Sequence, residues 1–229
     1  MSYQTIEDRS SVGLNRFYAK VYGLVGMGIA LSALISFLML TVFVNNTLAL
    51  LQNPSMLWGA LIAEVAVVFV ASTAAAKNRP SALPLFLIYS ALNGFTLTFV
   101  ILSYTATTVL SAFLSSAILF FVMSAIGVFI KRDLSGLSRA LIAGIIGIII
   151  ASVINMFMAS SGLAYLISIV SVLLFSGLIA YDNQRIKSIY YQTGGHVADG
   201  WAISMALSLY IDFINIFLSL LRIFGNGRD

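Results

Sequence analysis

The chain consists of seven long apolar runs joined by short connections, and this pattern leaves few alternatives for the fold. The runs cover residues 21–44, 56–76, 82–104, 106–130, 137–158, 163–184 and 200–221. A helix of about 20 apolar residues crosses the ~30 Å of hydrocarbon in a bilayer. Only 9% of the residues are charged, against about 25% in soluble domains. The sequence therefore predicts an all-α integral membrane protein, with residues 1–229 forming a single seven-helix bundle.

The basic residues predict the orientation of this bundle, because short cytoplasmic loops are enriched in Lys and Arg. The N-terminal segment and the second, fourth and sixth loops carry ten of them, namely Arg9, Arg16, Lys20, Lys77, Arg79, Lys131, Arg132, Arg139, Arg185 and Lys187. The first, third and fifth loops carry none. The N-terminus is predicted to be cytoplasmic and the C-terminus external. Arg222 and Arg228 near the C-terminus oppose this assignment, and a re-entrant last segment would remove the conflict.

Three of the eight acidic residues lie inside apolar sequence. Glu64 occurs in LWGALIAEVAVVFV, Asp182 in GLIAYDNQRIK and Asp212 in LSLYIDFINIFLSLL. A charge at the centre of a membrane helix costs roughly 2.5–3.5 kcal/mol on insertion scales. Such residues usually face a bundle interior or a water path, and they mark ion or proton routes.

The seventh run carries its polar residues on one face. At ~100° per residue the six positions fall within about 80° of arc; they are Ser204, Ser208, Asp212, Asn215, Ser219 and Arg222. A polar stripe in a bilayer faces protein or water rather than lipid. The seventh helix is therefore predicted to be central or to line a path. A hydrogen-bonded seam that only holds the bundle together is the alternative.

The sixth run offers a partner for Asp212. Ser168, Ser171, Asp182 and Arg185 share about 100° of arc, and we expect the two aspartates to come within hydrogen-bonding reach in at least one state. Two carboxyls in a desolvated site cannot both ionise cheaply, so the pair holds one proton at moderate acidity. After losing it, the pair repels itself or takes a cation, for which calcium is a natural choice. Alternatively, Asp182 is a structural acid paired with Arg185 or Lys187.

Other intramembrane positions suggest helix packing. Glu64 shares a face with Ala60, Ala71 and Ala75, which predicts an inward-pointing carboxylate, and Asn93 and Asn155 are expected to form interhelix hydrogen bonds. Small residues recur at four-residue steps in the first and fifth runs, a pattern that favours close helix contacts in lipid. They are Ala19, Gly23, Gly26 and Ala30, then Ala140, Ala143, Gly144, Gly147 and Ala151. Dimerisation through these residues is the alternative.

The composition excludes several function classes. There are no cysteines, so no disulfide, thiol chemistry or Cys-ligated metal is expected. The net charge of +4 is small and dispersed, which argues against nucleic acid as a partner. The chain has no phosphate loop, zinc spacing or Ser/His pairing.

An enzyme is a remote alternative. Tyr181–Asp182 fits the first motif of presenilin-type intramembrane aspartyl proteases. The second motif, GxGD, is not matched, because LYID has Leu209 and Tyr210 before Ile211 and Asp212, and there are too few helices. We therefore expect no enzymatic activity.

The two C-terminal motifs carry a resemblance to a known family. GLIAYDNQRIK and ALSLYIDFINIFLSLLRIFGN, with KRDLSGL at 131–137 and AEVAVVF in the second run, closely resemble the bacterial members of the Bax inhibitor-1 (TMBIM) family. The resemblance implies a central seventh helix, a bacterial plasma membrane and a pH-sensitive calcium leak. It places the pH-sensing pair at Asp182 and Asp212 and an ion-path acid at Glu64.

The resemblance also implies how these residues act together. Ser208, Asn215 and Arg185 are expected to support the pair, and the three carboxylates are expected to be transient calcium ligands. No cofactor is expected; calcium is the transported species and protons regulate it. The family has an arginine eleven residues after the path acid, where this chain has Ala75, so only Lys77, Arg79 or Arg185 could latch the aspartates. A non-transporting regulator that binds another membrane protein, such as a membrane-bound protease, is the second reading.

Overall fold

A computed structural model describes residues 3–225, except for the side chains of residues 3–10, 51 and 54. Every regular element in this part of the chain is an α-helix. The helices are α1 (Tyr3–Thr41), α2 (Val44–Leu51), α3 (Pro54–Ala76), α4 (Ala82–Ile101), α5 (Ala106–Phe129), α6 (Ser135–Met158), α7 (Ser161–Gln192) and α8 (Asp199–Gly225). Seven of them, all but α2, are long and apolar enough to cross a membrane. The predicted all-α membrane fold is confirmed.

The ends of the helices differ from the predicted spans. α1 already begins at Tyr3, α7 continues beyond residue 184 to Gln192, and the short α2 was not predicted. Hydropathy marks the part of a helix that lies in hydrocarbon, whereas helical hydrogen bonding continues into polar sequence. The predicted orientation stays a prediction; Arg228 and the side chain of Arg9, which entered the charge count, lie outside the described residues.

Local signals explain where several helices begin and end. Pro54 opens α3, where its missing N–H is not needed. Thr105 caps α5, because its side-chain oxygen accepts from the backbone N–H of Thr108. α6 ends where Ala159 takes a left-handed conformation, with φ 48°.

The chain divides into two compact units. Of the described residues, the first unit contains 3–103 together with Ile189–Tyr210, and the second contains Tyr104–Ser188 together with 211–225. Within its membrane span, α8 is 67% buried, whereas the other six spans range from 6% to 39%. This burial is what the prediction of a central last helix requires.

Two glycines allow helices to touch at the backbone. A Cβ on Gly94 in α4 would stand 2.7 Å from the Ser32 Cα of α1, and one on Gly127 in α5 would stand 2.8 Å from the Ala180 Cα of α7. Either distance is too short for real Cβ atoms, so only glycine permits the approach.

The predicted small-residue stripes are a poorer guide to packing. Gly144 does lie against Leu174, but a Cβ on Gly23, Gly26 or Gly147 would meet no described atom within 4 Å. At these three positions the prediction of close helix packing is wrong. The spacing was suitable, but the helices are rotated so that these glycines face away from their neighbours.

Candidate functional site

The two aspartates of the predicted pair are both buried in the second unit. Asp182 on α7 is 3% exposed and Asp212 on α8 is 4% exposed. The Asp182 carboxylate lies within electrostatic range of the Asp212 carboxyl. The structure thus brings these two residues into one environment, and a direct hydrogen bond between them stays a prediction.

Asp212 has spare hydrogen-bonding capacity. Its Oδ2 atom is buried and has no hydrogen-bond partner among the described residues, and the same is true of the Ser176 hydroxyl on α7. Buried polar atoms without a partner are rare in proteins, and each needs a physical reason. An unpaired carboxyl oxygen can hold a proton or ligate a cation.

Aromatic side chains surround the helix face next to Asp212. The Phe213 ring packs edge-to-face on Phe113 and Phe120, with centroids 5.8 and 5.9 Å apart, and Phe113 also contacts Phe217. This apolar wall keeps the local dielectric low, which strengthens the interaction between nearby charges.

Exposure varies along the polar stripe of α8. Ser204, Ser208 and Asn215 are partly exposed and Arg222 is exposed, whereas Asp212 and Ser219 are buried. Asn215 donates its amide to the carbonyl of Ile211 in its own helix, at 2.8 Å. This bond lies within α8, and the predicted alternative of an interhelix seam stays a prediction.

The third acid, Glu64, belongs to a separate cluster in the first unit. It lies near the middle of α3 and is partly exposed. Its Oε1 atom accepts a hydrogen bond from Asn93 Nδ2 at 2.5 Å, and its Oε2 atom accepts one from Thr96 Oγ1 at 2.9 Å. The predicted interhelix bond of Asn93 is confirmed. Asn155 instead caps its own helix, accepting from Ser160 N at 3.2 Å, so that prediction is wrong.

The hydrogen bonds continue from Glu64 into the interior. Tyr210 OH donates to Asn93 Oδ1 at 2.9 Å and lies 2.6 Å from Ser32 Oγ, which contacts the Ser90 carbonyl at 2.7 Å. Phe86 and Tyr89 pack edge-on against the Tyr210 ring, with both centroids at 5.7 Å. This series of hydrogen bonds links side chains of α1, α3, α4 and α8.

The carboxylates do not converge on one metal centre. In the described part of the chain, no three His, Cys, Asp or Glu side chains could hold a metal ion together.

Comparison with known proteins shows the family of the chain. The family model described as "Inhibitor of apoptosis-promoting Bax1" matches residues 14–229. The chain belongs to the Bax inhibitor-1 family. It is 60% identical to an uncharacterized membrane protein of Streptococcus pyogenes serotype M1, over 99% of this chain and all of that protein. It is 48% identical to the uncharacterized protein YrjE of Lactococcus lactis, over 96% of this chain and 94% of the relative.

The name of a more distant relative includes its location in the cell. The chain is 38% identical to the inner membrane protein YbhL of Escherichia coli K12, over 94% of each protein. With seven spanning helices, the present chain is a multi-pass membrane protein of the same family.

This member of the family has no basic residue available at position 75. Ala75 is 3% exposed, and at this end of α3 a Cβ on Gly200 would stand 2.9 Å from the Asn78 Cα. Asn78 Oδ1 also accepts from the backbone N–H of Gly200, at 2.7 Å. An arginine at position 75 would have to displace this packing. Lys77, Arg79 and Arg185 are exposed, and a latch formed by any of them stays a prediction.

Two residues of the candidate site, Tyr210 and Ser32, were not predicted from the sequence. Tyr210 was grouped with the apolar cover of its helix, although it is fully buried and its hydroxyl joins the Glu64 cluster. Ser32 gave no signal, because isolated serines are common in membrane helices and usually bond to their own backbone. Tyr210 carried one usable signal, since a buried tyrosine hydroxyl normally needs a partner.

Proposed function

We propose that the protein lets calcium ions pass down their gradient across a bacterial inner membrane, and that protonation of the Asp182–Asp212 pair controls the rate. The observation that carries this proposal is the buried Asp212 carboxyl, whose Oδ2 atom has no hydrogen-bond partner among the described residues and which lies in electrostatic range of Asp182. Family membership and the inner-membrane relative support the location.

The control follows from the chemistry of coupled carboxyls. When the pair shares one proton, a carboxyl–carboxyl hydrogen bond ties α7 to α8 and favours one packing of the two helices. When that proton leaves, like charges repel and loosen the contact unless a cation enters. Such a pair titrates as a unit, and we expect the calcium rate to change between about pH 6 and 8.

The ion path is assigned to polar positions that are partly exposed. Glu64 is partly exposed near the middle of α3, and Ser204 and Ser208 of the α8 stripe are partly exposed as well. Calcium takes six to eight oxygen ligands, which carboxylates, hydroxyls and water can supply along such a route. Glu64 therefore contributes to passage and not to pH sensing.

Calcium flux into dye-loaded liposomes, measured against pH, tests the proposal. Asp182→Asn and Asp212→Asn should each remove most of the pH dependence, because an amide keeps the shape but cannot titrate. Glu64→Gln should lower the flux at every pH and leave the midpoint nearly unchanged. Asp133→Asn, the same change at an exposed loop acid, is the matched control and should keep the wild-type profile.

Two outcomes would contradict separate parts of the proposal. Absence of calcium flux at every pH would refute the leak and favour the regulator. Flux that keeps the wild-type pH profile in both aspartate variants would leave the path standing and refute the sensor.

A further inference from the structure

The hydrogen bonds around Glu64 have a defined direction. A carboxylate only accepts, so Asn93 must present its NH₂ group to Glu64 and its Oδ1 atom to Tyr210. The Tyr210 hydroxyl must then donate to Asn93. The direction runs from Tyr210 through Asn93 to the carboxylate, while the second carboxylate oxygen takes its bond from Thr96.

Each of these donors has another acceptor within reach. The Thr96 hydroxyl lies 3.0 Å from the backbone carbonyl of Asn93. The Tyr210 hydroxyl lies 2.6 Å from Ser32 Oγ. The Ser32 proton has two carbonyl acceptors, Ser90 O at 2.7 Å and Gly28 O at 3.0 Å.

We propose that Glu64, Asn93 and Thr96 form a calcium site in which the Asn93 side-chain amide turns by half a rotation when the ion binds. Oδ1 then faces the ion, and Nδ2 donates to the Tyr210 hydroxyl. Tyr210 donates in turn to Ser32, and Ser32 to a backbone carbonyl. Thr96 turns its proton to the Asn93 carbonyl and offers a lone pair to the ion. The inference rests on the proposed function, because it assigns the calcium contact at Glu64.

The balance of donors and acceptors is the physical reason. A cation repels the N–H and O–H donors that hold Glu64 in the ion-free state. A buried donor that loses its acceptor without finding another is costly. Here every displaced donor finds a second acceptor, so both states of the site are satisfied and an ion can bind and leave. The hydroxyls of Tyr210 and Ser32 can reverse their direction without moving their oxygen atoms.

The side chains of this cluster differ in exposure. Glu64 and Thr96 are partly exposed, whereas Asn93 is 6% exposed and Tyr210 is fully buried. Glu64 and Thr96 thus lie at the more exposed side of the proposed site, and the Asn93 side chain and the reversing hydrogen bonds lie behind them. Glu64 supplies the charge, and two neutral oxygens and water complete the contact, as calcium prefers.

Equilibrium calcium binding distinguishes an Asn93 side chain that is a calcium ligand from one that only competes with calcium for Glu64. If Asn93 only blocks Glu64, Asn93→Ala should bind calcium more tightly; if its Oδ1 atom is a ligand, the variant should bind about tenfold more weakly, the effect of ~1.4 kcal/mol. Asn93→Asp should bind at least as tightly as the parent, because a carboxylate offers oxygen in either orientation. Radioactive calcium dialysis of purified protein up to millimolar calcium measures this. An Asp212→Asn background removes the other candidate ligand.

Infrared spectroscopy tests the rotation itself. Protein carrying ¹³C in its asparagine side-chain amides should show one amide C=O band that shifts on calcium addition and is absent in Asn93→Asp. If Asn93→Ala does not fold, Thr96→Val should weaken binding and Thr96→Ser should retain it. Glu64→Gln should abolish this binding in every case.

Three results would overturn the inference. They are unchanged or tighter binding in Asn93→Ala, a labelled band that stays in place at calcium saturation, and absence of binding in the Asp212→Asn background. Calcium binding as predicted without flux in liposomes would instead refute the leak and leave this site standing.

Discussion

Gly127→Ala tests the helix contact next to Asp182. Gly127 on α5 faces Ala180 on α7, and a new Cβ would stand 2.8 Å from the Ala180 Cα, where ordinary contact begins at 3.4 Å. The helices must therefore separate by at least about 0.6 Å, because both atoms belong to or adjoin backbone that cannot rotate away. Overpacking of this kind costs roughly 1–3 kcal/mol.

A matched variant isolates that cost. Gly147→Ala on α6 makes the same change where a Cβ meets no described atom within 4 Å. Both variants gain the helix preference of alanine over glycine, about 1 kcal/mol. The difference in unfolding free energy between them is therefore the cost of the clash, with Gly147→Ala the more stable by roughly 1–3 kcal/mol.

Thermal unfolding of the two purified variants in one detergent measures the difference. At roughly 2–4 °C per kcal/mol for a chain of this size, Gly127→Ala should melt well below Gly147→Ala. It should also alter the pH profile of calcium flux, because Ala180 lies two residues before Asp182. Equal melting temperatures, or a higher value for Gly127→Ala, would refute the close approach of α5 and α7.

Two further predictions concern orientation and a loop acid. Reporter fusions at residues 79, 135 and 192 should give cytoplasmic signals, and fusions at residues 50 and 229 should give external ones; a cytoplasmic signal at 229 would leave only six full spans. The backbone N–H and the hydroxyl of Ser135 donate to Asp133 at 2.9 and 2.7 Å and hold the pKa of this carboxyl below its usual value. The two hydrogen bonds from Ser135 to the ionised Asp133 carboxylate should therefore be fully formed above about pH 3.9. They should be lost as the pH falls through the lowered pKa. The Ser135 amide chemical shift should titrate with that midpoint, and an unshifted midpoint, or a titration that survives Asp133→Asn, would contradict it.

The membrane spans could be predicted because lipid imposes a local requirement. Each stretch of about 20 residues must be apolar and must satisfy its own backbone, and both properties are visible in a single run of sequence. The helix ends could not be placed in this way. The polar stretch after Asp182 remains helical to Gln192, because helix formation there does not depend on hydropathy.

The acids of the candidate site were visible for a similar reason. A carboxylate in apolar sequence is costly wherever it occurs, so Glu64, Asp182 and Asp212 could be selected without a structure. Their surroundings could not. Asn93 was expected to bond to a neighbouring helix, yet nothing in the sequence indicated that its partners would be Glu64 and Tyr210.

The sequence by itself determined the class of protein, the number of spans, the family and the three carboxylates, since these depend on composition and on residue order within short segments. Tertiary structure alone decided which glycines touch a neighbouring helix, as Gly94 does and Gly23 does not. It also decided that Tyr210 joins the Glu64 cluster and that one Asp212 oxygen has no hydrogen-bond partner in the described part of the chain. These outcomes depend on the rotation of each helix about its axis and on its distance from the next, and packing between residues far apart in the chain sets both.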